Sequence, residues 1–168
     1  MPKSYKKKYY RGSRDKYSVE QSAFTENITA SNQQATLIIP PTAVQGKRKV
    51  KHLTISVATT AAAQTSDYFY WCLVYVPEGY NPNLLTVSST SGASTPMYEP
   101  NQHVMCCGVF DLSSGPNRIY CPLSRNLNTG DRIILISANP TPSTITLHGV
   151  VRYAITFNQE EARRKAHP

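Results

Sequence analysis

The first eighteen residues, MPKSYKKKYYRGSRDKYS, interleave Lys3, Lys6, Lys7, Lys8, Arg11, Arg14 and Lys16 with Tyr5, Tyr9, Tyr10 and Tyr17. Lysine and arginine neutralise phosphates and release their counterions, while a tyrosine ring is a flat surface on which an unpaired base stacks for roughly 1–3 kcal/mol. The combination suits single-stranded nucleic acid. If all of the segment's net charge engaged a single strand, log affinity would fall against log salt with a slope of about −4. Lys6, Lys7, Lys8 and Arg11 also fit a nuclear-import signal, a role compatible with nucleic-acid contact; a merely solubilising segment is the remaining alternative.

A second basic cluster, Lys47, Arg48 and Lys49 with Lys51 and His52 beside them, stands at the entry to a predicted strand. It either continues the nucleic-acid path or is a solvated loop.

Enzymatic constellations are hard to find. His52, His103, His148 and His167 show neither H-x-H nor H-E-x-x-H spacing, so no metal ligands are expected. The chain has no G-x-S-x-G elbow and no phosphate-binding glycine loop, and its carboxylates Asp67, Glu78, Glu99, Asp111 and Asp131 are dispersed. No catalytic residue and no cofactor is expected. Cys72, Cys106, Cys107 and Cys121 lack C-x-x-C spacing; buried free thiols are the expectation, a stabilising disulfide the alternative.

These residues must be carried by elements, and 168 residues is the size of one domain with one core. Only 17% of residues are charged, and Thr, Ser, Asn, Pro and Tyr are abundant, which favours strands and turns over helices. The net charge of +8 is unevenly placed: Asp15 alone opposes the seven early cations, leaving the rest nearly neutral. Residues 1–18 lack the aliphatic side chains to fold alone and read as an arm.

No apolar stretch follows the early lysines, so no secretory signal is expected, and the longest apolar run, Tyr68 to Pro77, is about half of what a membrane helix needs. An intracellular, soluble product without membrane insertion is expected. Asn27-Ile28-Thr29 then matches the glycosylation pattern by accident.

Beyond the arm, apolar runs alternate with turn-formers. Strands are expected over Phe24–Ala30, Ala35–Ile39, Lys51–Val57, Tyr68–Val76, His103–Leu112, Arg118–Pro122, Arg132–Ala138 and Leu147–Phe157, with a weaker one at Leu84–Ser88. Leu53, Ile55 and Val57 alternate with polar neighbours, as in a half-buried strand. Tyr68–Val76, YFYWCLVYV, is apolar on both faces, as expected inside a sandwich or at a subunit contact. Asn128-Thr129-Gly130-Asp131 marks a tight turn. Eight or nine strands in such a length is the count of an all-β, antiparallel two-sheet sandwich over residues 19–159, the jelly roll being one of the few closed topologies of that size, followed by a charged tail at 160–168.

Five segments carry a resemblance: KRKVKHLTISV (47–57), YWCLVYVPEGYNPN (70–83), YEPNQHVMCCGVFD (98–111), RIYCPLSRNLNTGDRIILI (118–136) and GVVRYAITFNQ (149–159). In order over most of residues 20–159, the chain resembles the capsid proteins of circular Rep-encoding single-stranded DNA viruses, nearest the circovirus-like group. The resemblance implies an eight-stranded antiparallel jelly-roll sandwich assembled as a T=1 icosahedral homo-oligomer of roughly sixty copies, with the basic arm inside against circular DNA. It further implies a virion protein that passes through the host nucleus, meeting importin and a cell-surface receptor. The arm here is short and mixes Lys with Tyr, whereas circovirus arms are long and arginine-rich. Pro77–Leu84 and Ser88–Met97 are expected to be contact or surface loops. Two rivals stand beside this expectation: a non-capsid β-barrel that binds single-stranded nucleic acid, and a β-sandwich lectin or hydrolase with a convergent pocket.

Overall fold

The computed structural model describes residues 17–30, 32–61, 68–81, 98–99, 102–111 and 115–158. Ten strands run through them: β1 (Ser18–Ile28), β2 (Asn32–Ile39), β3 (Lys47–Ala61), β4 (Tyr68–Val76), β5 (Tyr98–Glu99), β6 (Gln102–Asp111), β7 (Asn117–Cys121), β8 (Arg125–Leu127), β9 (Arg132–Asn139) and β10 (Ile145–Asn158). They pair antiparallel into two sheets, one ordered β1-β10-β3-β7 with β8 also on β3, the other β2-β9-β4-β6-β5. Setting aside the two short strands β5 and β8, the remaining eight divide into two four-stranded layers, successive strands changing layer except from β4 to β6, and the wrapped order is that of a jelly roll.

The alternation anticipated for β3 is what builds the core. Leu53, Ile55 and Val57 turn inward and are buried at 2% exposure or less, meeting Leu73, Ile133 and Leu135 from the opposite sheet. Apolar area removed from water between the layers drives the association, at about 25 cal/mol per Å². In β4 the adjacent Leu73 and Val74 face opposite ways and both are fully buried. Val74 belongs to a second cluster with Cys72, Val76, Ile134 and Ile136, on the side of that sheet turned away from the main core.

Several elements differ from expectation: β3 runs from Lys47 to Ala61, past both ends of the anticipated Lys51–Val57, and the short β5 at Tyr98–Glu99 was not anticipated. β1 begins at Ser18, because its polar residues SVEQSA gain backbone partners from β10 (Ser18 opposite Ile155, Ala23 opposite Val150) without burying their side chains. β8 forms where no strand was anticipated, and it holds Arg125 against the core side of the sandwich. The turn at residues 128–131 forms as expected: Asp131 N donates to the Asn128 carbonyl and Gly130 adopts φ 79°, which glycine tolerates without steric cost. The weak strand at 84–88 and the loop at 88–97 lie outside the described residues.

Candidate nucleic-acid interface

The basic cluster at 47–49 is split by the pleat of β3. Successive side chains point to opposite faces, so Lys47 and Lys49 lie on the outward face and Arg48 on the inward one. Arg48 is 8% exposed; its Nη1 donates to the Pro40 carbonyl at 3.0 Å and its Nη2 to the Asp131 carbonyl at 3.1 Å. Burial lowers its pKa from the ordinary arginine value, opposed by Tyr153, Asp131 and Glu20. Arg48 was expected to meet nucleic acid with its neighbours, but its guanidinium is spent inside, tying the approach to β3 to the turn before β9.

Arg48 Nε has no hydrogen-bond partner among the described residues, but the carboxylate beside this site is fully engaged. The Asp131 carboxylate accepts from Tyr75 Oη at 2.8 Å, Glu78 N at 3.1 Å and Asn128 N at 2.7 Å. Burial and the Asp131 hydrogen bond push the Tyr75 hydroxyl up to about 12, against a weaker opposite pull from Arg125. Arg125 stands over the Tyr75 ring, 4.6 Å from its centroid, and its Nη2 donates to His103 Nδ1 at 2.8 Å, joining the two sheets.

The outward face of the β1-β10-β3-β7 sheet is chemically one-sided. Lys47, Lys49, Lys51, Arg118 and Arg152 occupy outward positions, and no outward position on the described strands of this sheet is Asp or Glu. Strand register lays these residues in rows. Gln21, Arg152, Thr54 and Tyr120 stand side by side across four strands, and Ala23, Val150, Ser56 and Arg118 form the next row. Thr54 and Ser56 on β3 are short while Arg152, Tyr120 and Arg118 on the strands beside it are long, and these residues line a groove of about 630 Å³.

At one end of this groove the ladder is irregular. Between Arg152 and Ala154 of β10 the register shifts, and His52 on β3 takes φ 55°. A left-handed conformation costs a non-glycine residue about 1–2 kcal/mol. The bulge re-aims the exposed His52 into the groove lining beside Tyr153 and Arg152. Arg118, Tyr120 and Arg152 were not singled out by sequence, because each is one charged or aromatic residue in an alternating strand. The signal was their outward parity, which needs the register to become a cluster.

The remaining expected contacts, Lys3, Lys6, Lys7, Lys8, Tyr9, Tyr10, Arg11, Arg14 and Lys16, lie outside the described residues. Tyr17, the first described residue, has its ring 4.6 Å from Lys51 Nζ, so the chain enters the sandwich on the cationic face. Among the described residues, no group of three or more His, Cys, Asp or Glu side chains is placed to hold a metal ion. Likewise no helix among them is long and apolar enough to cross a membrane.

Fold and surface together define a jelly-roll sandwich with one carboxylate-free, cationic sheet face. Solved structures similar to it include the decameric form of the BFDV capsid protein (12% identity, 87% of this chain and 100% of that one, TM-score 0.49). The protein of Cocksfoot mottle virus is similar too (12% identity, 84% of this chain and 95% of that one, TM-score 0.46), as is the 60-mer form of the BFDV capsid protein (11% identity, 86% and 94%, TM-score 0.41). No family model and no curated protein matches the chain.

Proposed function

We propose that this chain is the coat protein of a circovirus-like single-stranded DNA virus, a structural and non-enzymatic protein. Its jelly roll associates into a closed T=1 shell of about sixty copies, and its basic arm packages circular single-stranded DNA. One observation carries the reading: the segment holding seven of the chain's cations joins the body at Tyr17, beside Lys51, on the sheet face that bears no carboxylate among the described residues. Arm and face then form one continuous polyanion-binding surface, while the nearly neutral remainder is left for contacts between copies. The ordered resemblance over residues 20–159 supports the same reading. Lys6, Lys7, Lys8 and Arg11 serve nuclear import through importin before assembly, so the protein divides its time between host nucleus and virion, and a cell-surface receptor meets the outside of the shell.

Electron microscopy of the purified protein is expected to show closed, uniform particles on the order of 20 nm across, with nuclease-protected single-stranded DNA inside. A monomer that persists across salt and pH overturns the reading. The half-exposed Tyr120 on a cationic face favours a second reading, a single-strand-binding module that never closes into a shell. That module binds single-stranded DNA but shows no particles in the micrographs.

A further inference from the structure

We infer that the groove on the outward face of the β1-β10-β3-β7 sheet is a base-stacking subsite for single-stranded nucleic acid, built by Tyr120, Arg118, Arg152 and His52. The inference rests on the coat-protein reading and places part of the DNA contact on the folded body, beyond the arm.

Tyr120 is 51% exposed, although an aromatic ring gains by burial, and nothing in its strand requires an aromatic side chain on the solvent side. Arg118 holds its guanidinium carbon 5.9 Å from the Tyr120 centroid, so one cation already stands at the ring. Arg152 lies in the same cross-strand row as Tyr120, with Thr54 between them. Neighbouring strands are about 4.8 Å apart, which sets these two side chains about 10 Å from each other across a shallow floor. A ring for the base, two guanidinium groups for phosphate oxygens and short hydroxyl side chains between them fit a nucleotide strand.

Charge decides the occupant. A basic peptide would meet a face whose described residues offer no carboxylate to pair its cations, whereas a polyanion meets Lys49, Lys51, Arg118 and Arg152 with no opposing charge among the described residues of that face. A duplex hides its base faces and would leave the Tyr120 ring without a partner, so the single strand is favoured. The strained backbone at His52 brings a further hydrogen-bonding group to the same groove, where an unstrained ladder would have turned it elsewhere.

The test uses the full-length chain freed of nucleic acid, with fluorescein-labelled oligothymidylate followed by anisotropy over a range of salt. Tyr120→Ala is expected to weaken binding about tenfold, Tyr120→Phe to retain it, and Arg118→Gln with Arg152→Gln to flatten the salt slope by about 1.4. Circular dichroism confirms that each variant keeps its β-sheet. If the unaltered chain binds and all these variants match it, the subsite is absent and the coat-protein reading survives. If Tyr120→Ala disturbs particle formation without changing DNA affinity, the face belongs to a neighbouring copy and the subsite is overturned. If the unaltered chain binds no oligothymidylate at all, both readings fall together.

Discussion

Arg48 and Asp131 meet through the backbone: Arg48 Nη2 donates to the Asp131 carbonyl at 3.1 Å, while the Asp131 carboxylate serves Tyr75, Glu78 and Asn128. One residue thus holds the turn before β9 from both its main chain and its side chain, and the buried cation on β3 is matched by carbonyl dipoles. Arg48→Met removes the donors and leaves the Asp131 carbonyl unsatisfied in a buried place and the Pro40 carbonyl in a partly buried one. A loss of about 2–4 kcal/mol in urea unfolding is expected. Oligothymidylate affinity measured on the folded variant stays as it was, because the side chain faces away from the cationic surface.

Alkaline stability follows from Tyr75. Its pKa is raised to about 12 in the folded state against an ordinary 10.0, so the folded chain holds a proton that the unfolded chain releases. This contribution is fully present below about pH 10 and is lost as pH rises toward 12. Unfolding midpoints at pH 9, 10.5 and 12 are therefore expected to fall more gently in Tyr75→Phe than in the unaltered protein. Tyr153 adds to the same trend, since burial and its hydrogen bond to Glu20 raise it further. Parallel slopes in the two proteins would remove Tyr75 from the account.

All four cysteines are free, Cys72 and Cys121 buried, Cys106 half-buried and Cys107 exposed. Burial pushes the Cys72 and Cys106 thiols up to about 12, with neighbouring cysteines adding to it, so neither forms the reactive thiolate near neutrality. A thiol-reactive dye at pH 8 is expected to label Cys107 alone in the native protein and all four after denaturation. Peptide mapping that finds Cys72 labelled in the native state would contradict the packing of β4 against β6 and β9.

His52 predicts a trade between stability and binding. Replacing it by glycine relieves the positive φ and is expected to stabilise the fold by about 0.5–1 kcal/mol, whereas His52→Val, β-branched at a left-handed position, destabilises it. If the bulge exists to aim this ring into the groove, His52→Gly binds oligothymidylate more weakly while melting higher. A melting temperature that falls in His52→Gly argues that the ring is held by packing instead.

The layered all-β plan was legible because burial imposes its period on the chain. Leu53, Ile55 and Val57 alternate with His52, Thr54 and Ser56, and a strand can bury the first set only by turning the second outward. The Tyr68–Val76 strand was found to the residue, since an apolar run of that length bounded by Pro77 needs no partner to declare itself. β1 extended past its anticipated start and β8 escaped notice because both are defined by the strand beside them: the polar Ser18–Ala23 and the three-residue Arg125–Leu127 have no apolar pattern of their own.

Sequence by itself determined where the charge lies along the chain, which residues must be buried and that they form strands, because composition and alternation are local properties. The tertiary structure alone decided that Arg48 turns inward while Lys47 and Lys49 turn outward, and that Arg152, Thr54 and Tyr120 share one row. Those facts depend on hydrogen-bonded register between strands far apart in the chain, and a shift of one residue would have sent every one of these side chains to the opposite face.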